Sequence, residues 1–344
     1  MKIADICLAN YTVFEDVALS FAPGINIIIG KNGTGKTHLM KLLYSAGMCA
    51  NGRITFANKL VRTMMPLDLQ ISRLVSRHRG NQSANIRITS ESEDDSSKAQ
   101  LKMSFHKKTK KWDADVSGIE KWEKMFASDS IVFIPAKEVL SNNYNLFAAV
   151  ERGNVRFDDT YLDIINAAKV DISVGRDAKE KSKMLKDIEK MLGGKVVYDA
   201  NKDTFFLKVV SSKQEFSLVS EGIRKLALLW TLVKNGALDK NSVLFWDEPE
   251  ANINPSSIPI VTNLLLALQR NGVQIFISTH DYFLSKYLEV NRKDGDSLKY
   301  HSLYYDNDIL SCESSEQFTL LNHNAIMDAF VSLYRDEVGA AFDE

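Results

Sequence analysis

Gly30-Lys31-Asn32-Gly33-Thr34-Gly35-Lys36-Thr37, set between the apolar run Ile25-Asn26-Ile27-Ile28-Ile29 and a helix-period stretch from His38, leaves this chain little choice of architecture. A short glycine-rich turn between a buried strand and a helix N-terminus points successive backbone N–H groups inward, where the helix dipole adds partial positive charge. Polyphosphate is the natural ligand of such a turn. Gly30, Asn32, Gly33, Thr34 and Gly35 line the cradle, Lys36 is placed to reach the β- and γ-phosphates, and the hydroxyl of Thr37 is placed to coordinate Mg²⁺. A loop that merely happened to be rich in glycine would lack the strand before it and the helix after it.

Two further strands end in chemistry. Val243-Leu244-Phe245-Trp246 is a short apolar run closing in Asp247 and Glu248, and acids at the C-terminal edge of a buried strand stand where ligands collect in open α/β sheets. Asp247 is assigned to the metal, and Glu248 to the base that orients or deprotonates the attacking water. Val273-Gln274-Ile275-Phe276-Ile277 ends in Ser278-Thr279-His280, and a neutral imidazole there donates a hydrogen bond to the γ-phosphate or to that water. The blander readings are a solvated strand end for the acids and a structural histidine. The spacing of the three strands favours neighbours in one parallel sheet.

Between these motifs the texture changes. Residues 1 to 29 alternate like two antiparallel strands before the loop strand, and the first helix is expected to stop near Gly47. From about Arg53 to Ser217, segments such as Ala84-Asn85-Ile86-Arg87-Ile88-Thr89 and Leu101-Lys102-Met103-Ser104-Phe105 flank an acidic tract, Glu91 to Asp95; a charged helix from Asp177 to Leu192 and strands from Val196 to Phe216 follow. The organisation predicted is a core from residues 1–52 and 216–344 with an inserted α+β lobe over 53–215. Ser220 is predicted to cap a helix carrying Ile223, Leu226, Ala227, Trp230 and Val233 at helical spacing.

In that order the elements resemble the ATP-binding-cassette fold, and within it the SMC-like and OLD-like ATPases. The resemblance rests on the phosphate loop, the signature-like Leu218-Val219-Ser220-Glu221-Gly222-Ile223-Arg224-Lys225-Leu226, the acid segment Phe245 to Pro255 and the switch Ser278-Thr279-His280; Val132-Phe133-Ile134-Pro135-Ala136-Lys137-Glu138 is similar to small prokaryotic AAA-type ATPases. It implies an α/β P-loop NTPase with a mixed sheet, hydrolysing ATP with Mg²⁺. It also implies a head-to-tail homodimer in which ATP on one phosphate loop is capped by Ser220 and Gly222 of the other copy. A helix N-terminus bearing a serine is an anion site in its own right, so the physics agrees. The family's second signature glycine is Glu221 here, expected to face outward or to pair with Arg224 or Lys225. Gln70 is either the lid glutamine of the fold or a plain surface residue.

Three readings of the output compete. A chromosome-organising head needs two long heptad arms, for which 53–215 is too short and irregular. An OLD-type nuclease needs a second metal core, and the polar Asp294-Gly295-Asp296 has no apolar strand before it. The third is an ATPase controlling a separately encoded effector, whether nuclease, toxin or reverse-transcriptase system, as resemblance to anti-phage defence ATPases suggests.

Composition bears on partners. Over 344 residues the formal net charge is −1, which gives no global field for DNA or an anionic membrane, so nucleic acid must be met through a partner or a local patch. Lys107, Lys108, Lys110 and Lys111 beside Trp112, and Arg73, Arg77 and Arg79, are such patches, or else charged tips guarding strand edges. Cys7, Cys49 and Cys312 show no metal-ligand spacing, and no apolar run is long enough to span a membrane, so a soluble cytoplasmic protein is expected. Residues 326 to 334 read as an amphipathic helix, packed on its own sheet rather than reserved for a partner.

Overall fold

The computed structural model describes residues 1–77, 80, 82–92, 97–126, 129–171, 179–210 and 212–342. Arg79, residues 93–95 of the acidic tract and the start of the charged helix at Asp177 lie outside them.

Strands β1 (Lys2–Tyr11) and β2 (Phe14–Ser20) form a hairpin, and β3 (Ile25–Gly30), buried throughout, leads into the phosphate loop and α1 (Lys36–Met48). After α2 (Phe56–Met64) come β4 (Ser83–Glu91), β5 (Lys98–His106) and β6 (Asp115–Ser117). Alternating burial along β4 and β5 marks strands with one face on a core and one toward solvent. Next are α3 (Ile119–Phe126), β7 (Ile131–Ile134), α4 (Leu146–Glu151), α5 (Asp159–Lys169) and α6 (Lys179–Leu192). The short strands β8 (Lys195–Asp199), β9 (Thr204–Lys208) and β10 (Lys213–Glu215) precede α7 (Glu221–Lys234). The chain then runs through β11 (Val243–Asp247), α8 (Ile258–Arg270), β12 (Gln274–Ser278), α9 (Tyr282–Val290), β13 (Leu298–Asp306), β14 (Ile309–Ser315) and α10 (Ala325–Phe342).

The central sheet has the order β14-β13-β3-β12-β11-β7. It is parallel from β13 to β7, and β14 closes the edge antiparallel to β13. The loop strand β3 therefore lies beside the switch strand β12, which lies beside the acid strand β11, with Ile277 opposite both Ile27 and Trp246. Because these strands are covered on both faces, successive residues feed two cores. Ile27, Ile29, Leu244, Trp246, Ile275 and Ile277 pack toward α7, α8 and α9, while Ile28, Val243, Phe245 and Phe276 pack toward α1 and the antiparallel sheet.

That second sheet corrects the expected division of the chain. Its order, β2-β1-β4-β5-β6, pairs the N-terminal hairpin with strands assigned to the inserted lobe, Cys7 opposite Arg87. Likewise β7, also assigned to the lobe, is the edge strand of the central sheet beside β11. Residues 53–215 thus build both layers, and a small sheet β10-β9-β8 is formed within the stretch itself. Pairing between residues so far apart leaves no trace in local alternation, which reports only that a strand has one buried face. Polar ties bind the layers. Gln274 of β12 accepts from the N–H of Ile3 at 2.8 Å and donates to its carbonyl at 2.9 Å. Lys41 and Tyr44 of α1 reach Asp158 at the N-cap of α5 and Asp163 within it at 2.8 and 2.6 Å.

Helix α10 meets the expectation in its first turns only. Ile326 is buried and Phe330 stacks on Tyr282 at 4.3 Å, but Leu333 and Tyr334 are exposed, so the helix is held mainly through its first turns. Among the described residues no helix is long and apolar enough to cross a membrane.

Candidate active site

The phosphate loop is shaped by close approach. At Gly35, with φ +88°, a Cβ would stand 2.6 Å from Val13 and 2.8 Å from the Phe14 ring; at Gly30, with φ +148°, it would stand 2.3 Å from the carbonyl oxygen of Leu303. Only glycine fits either position. Gly35 caps α1 without any side-chain bond, so the first-turn N–H groups have no side-chain acceptor from the cap residue. Thr34 donates its hydroxyl to the Lys31 carbonyl at 2.8 Å, and Asn32 and Gly33 are exposed on the rim.

Lys36 lies folded into the loop, its ammonium donating to the carbonyls of Gly30 and Lys31 at 2.8 and 3.1 Å. Burial lowers its pKa to about 8, against the opposing pull of Asp247, Glu248 and Glu250. Next in sequence, the Thr37 hydroxyl donates to Asp247 at 3.1 Å, and the Ser278 hydroxyl donates to the other oxygen of the same carboxylate. Three adjacent parallel strands thus deliver a hydroxyl, a carboxylate and a second hydroxyl to one point.

Glu248 turns out of the sheet in a left-handed conformation, φ 47°, with its N–H bonded to the Ser278 carbonyl at 3.0 Å. Its half-exposed carboxylate lies 3.9 Å from His280 Nε2. Burial first, and then the charge of Lys36, push His280 below the usual imidazole range while Glu248 and Asp247 oppose them, which leaves a neutral ring near pH 7. Beside the loop opens a cavity of about 500 Å³ lined by residues including Val13, His38, Arg73, Arg77 and Tyr305. The Tyr305 hydroxyl reaches the Gly33 carbonyl at 3.3 Å.

The signature-like segment packs on the loop that follows the acids. Ser220 occupies the N-cap of α7 with its hydroxyl unused for capping and exposed. Gly222 is pressed on the loop after the acids, where a Cβ would sit 2.7 Å from the Asn252 carbonyl oxygen. Arg224, one expected partner of Glu221, is taken instead by Glu138 at 2.6 Å. Glu221 is half-buried, and its charge acts on the Lys225 ammonium. Gln70 is a surface turn residue, accepting from the Lys111 N–H at 2.7 Å.

A family model described as "AAA domain, putative AbiEii toxin, Type IV TA system" matches residues 25–286, a span holding the loop, the acids and the switch. The chain belongs to that AAA family. Shorter stretches are similar to the DNA replication and repair protein RecF: 42% identity over 62 residues in Bacillus cytotoxicus, 18% of this chain and 17% of that one, and 30% over 89 residues in Limosilactobacillus fermentum, 26% and 24%. The chain therefore matches about a quarter or less of the length of these relatives. In fold it is similar to an Smc head bound to the C-winged helix domain of ScpA, with TM-score 0.60 and 12% identity over 92% of this chain and 98% of that one. An Smc head with an extended coiled coil, bound to a ScpA C-terminal domain derived from Pyrococcus furiosus, gives 0.56 and 11% over 98% and 99%. The AAA family member described here thus has the head architecture of SMC-type ATPases.

Two residues of this AAA-family site escape sequence reasoning. Glu250 is largely buried and accepts from the Thr279 hydroxyl at 2.7 Å and the His280 N–H at 3.2 Å; burial, against those bonds, lifts it to about 7. Lys225, 1% exposed, donates to the carbonyls of Glu248 and Ala251 at 3.3 and 2.8 Å. The available signal was a lysine standing on the helix stripe shared with Leu229 and Leu232, where a charge is out of place unless bonded.

Proposed function

We propose that this chain binds and hydrolyses ATP with Mg²⁺, that two copies close head to tail around the nucleotide, and that the nucleotide state governs a separately encoded effector. The observation that carries the reading is the convergence of Lys36, Thr37, Asp247, Glu248 and His280 at the C-terminal edge of three adjacent strands. A hydroxyl and a carboxylate at one point are hard oxygen donors of the kind Mg²⁺ takes, so Thr37 and Asp247 fit the ion. Bound there, Mg²⁺ would supply charge neutralisation on the phosphates. The loop N–H groups and Lys36 hold the triphosphate. Glu248 orients a water toward the γ-phosphorus and takes its proton as the new P–O bond forms and the bond to the β–γ bridging oxygen breaks. Neutral His280 donates a hydrogen bond to the γ-phosphate or to the water.

Dimer closure is supported by the Ser220 hydroxyl, unused for capping at an exposed helix N-terminus, which is an anion site in its own right. Swinging such a pair from mostly open to mostly closed takes about 5.5 kcal/mol of differential affinity, within reach of several charge-assisted contacts. An effector that is a nuclease, toxin or reverse-transcriptase system, acting in prokaryotic anti-phage defence, accords with the toxin system named in the family description. Three free thiols are in keeping with a reducing, cytoplasmic location.

The RecF matches favour a second reading, an ATP-dependent DNA-repair component meeting nucleic acid through the exposed lysines at 107, 108 and 111. In the OLD-like nuclease form of that alternative, Asp296 would first have to leave Arg270, whose Nε donates to it at 2.8 Å. Turnover of ATP by the purified chain, with its mass measured by light scattering with and without Mg-ATP, tests the first reading: no turnover and no change of mass reject it. DNA-stimulated turnover selects the second.

A further inference from the structure

The loop that carries Glu248 is fastened on two sides. On one, the Glu250 carboxylate holds the Thr279 hydroxyl and the His280 N–H of the switch. On the other, the Lys225 ammonium, sunk in the second turn of α7, holds the carbonyls of Glu248 and Ala251. Gly222, one turn earlier, abuts the backbone of Asn252 and Ile253 at distances that leave no room for a Cβ. Glu248 sits at φ 47°, a left-handed conformation that a glutamate rarely adopts, and keeps that bend only while its surroundings hold it. The start of α7 and residues 248 to 253 are therefore tied to one another, and Ser220 stands at the N-terminus of that helix.

We propose that Lys225 is a positioning residue for hydrolysis, coupling the start of α7 to the backbone of Glu248 so that a partner copy's nucleotide docked at Ser220 sets the aim of Glu248 within the same chain. The assignment rests on the dimer reading above. A charged group kept at 1% exposure in the middle of an apolar helix face is costly unless bonded, and its bonds go to the one loop that holds the catalytic base. Four carboxylates, of Glu221, Glu250, Glu248 and Asp247, favour its charge against the burial that lowers its pKa. A lysine serving only to fill the core would be replaced by leucine or methionine without consequence for chemistry.

The test is steady-state ATP turnover of the full chain as Lys225→Met and Lys225→Arg, with the ATP-dependent mass of each measured in a Glu248→Gln background, and with thermal melting to verify folding. The expected result for Lys225→Met is a kcat reduced about 10- to 100-fold, as for a misaimed catalytic group, a KM for ATP within about twofold of wild type, and an undiminished ATP-bound dimer. Lys225→Arg, which keeps the donors and folds without leaving the two carbonyls unpaired, is expected to recover part of kcat. Unchanged kcat in Lys225→Met overturns the assignment. So does a parallel fall of kcat, ATP affinity and melting temperature with no recovery by arginine, because that pattern belongs to a purely structural lysine. If wild type turns over ATP but never changes mass with nucleotide, the dimer reading falls and the coupling with it; if wild type dimerises and only the Lys225 result fails, the dimer reading stands.

Discussion

Thr37 and Asp247 lie 210 positions apart in sequence, and the hydroxyl of one donates to the carboxylate of the other at 3.1 Å. The contact exists because β3 and β11 flank β12 in one parallel sheet, so the ends of all three strands open on the same edge.

Glu248→Gln keeps the shape and the backbone bonds of the residue but removes the proton acceptor. Turnover is expected to fall by at least about 100-fold, with ATP binding retained and the ATP-bound dimer longer lived. Retained turnover in a phosphate-release assay rejects Glu248 as the base.

Lys36 in the free protein has a pKa of about 8, below the ordinary lysine value because of burial. A bound triphosphate favours the ammonium and raises that pKa, so ATP binding is expected to take up part of a proton above about pH 8 and almost none at pH 6.5. Calorimetry in two buffers of different ionisation enthalpy measures the uptake. Equal values at pH 6.5 and 8.5 would contradict the placement of Lys36 on the phosphates, and Lys36→Ala is expected to lose both the uptake and most of the affinity.

Gly35→Ala places a Cβ at 2.6 Å from Val13 in a left-handed backbone. The expected cost is about 1–3 kcal/mol of stability, together with loss of nucleotide binding, because the loop shifts to relieve the clash. Chemical denaturation and nucleotide titration of the variant read the two effects, and a variant of wild-type stability would show that the loop is looser than its geometry states.

His301, in the middle of β13, is fully buried between Ser314 at 2.8 Å and Asn26 at 3.1 Å. Burial, aided by the charge of Lys299, takes its pKa down to about 3. The unfolded chain therefore binds the extra proton first: this contribution to stability is whole above about pH 6.5 and is lost as pH falls toward 3. Against His301→Gln, the stability advantage of wild type is expected to shrink by about 1.4 kcal/mol per pH unit below pH 6. Urea denaturation at pH 7, 6, 5 and 4 gives the slope, and a constant gap would place the ring in contact with solvent.

The phosphate loop, the acid pair and the switch were legible because each is local: a glycine at positive φ, an apolar run and the polar residues at its end are written within a few neighbouring positions. The same holds for α1, α7 and α8, whose 3.6-residue apolar stripes survive any arrangement of the rest. Even the adjacency of the three motif strands followed from their type, since buried apolar runs joined through helices pair in parallel.

What the sequence could not decide was which strands of 53–215 join which sheet. β4 alternates in burial whether it pairs with β1 or with a separate lobe, and four apolar residues in β7 suit the edge of the central sheet as well as any other buried strand. Strand pairing is a contest between distant segments settled by packing over the whole domain. For the same reason the partners of Lys225 and Glu250 were decided only in three dimensions: a buried charge is satisfied by carbonyls, hydroxyls and N–H groups, and those belong to loops brought in by the fold.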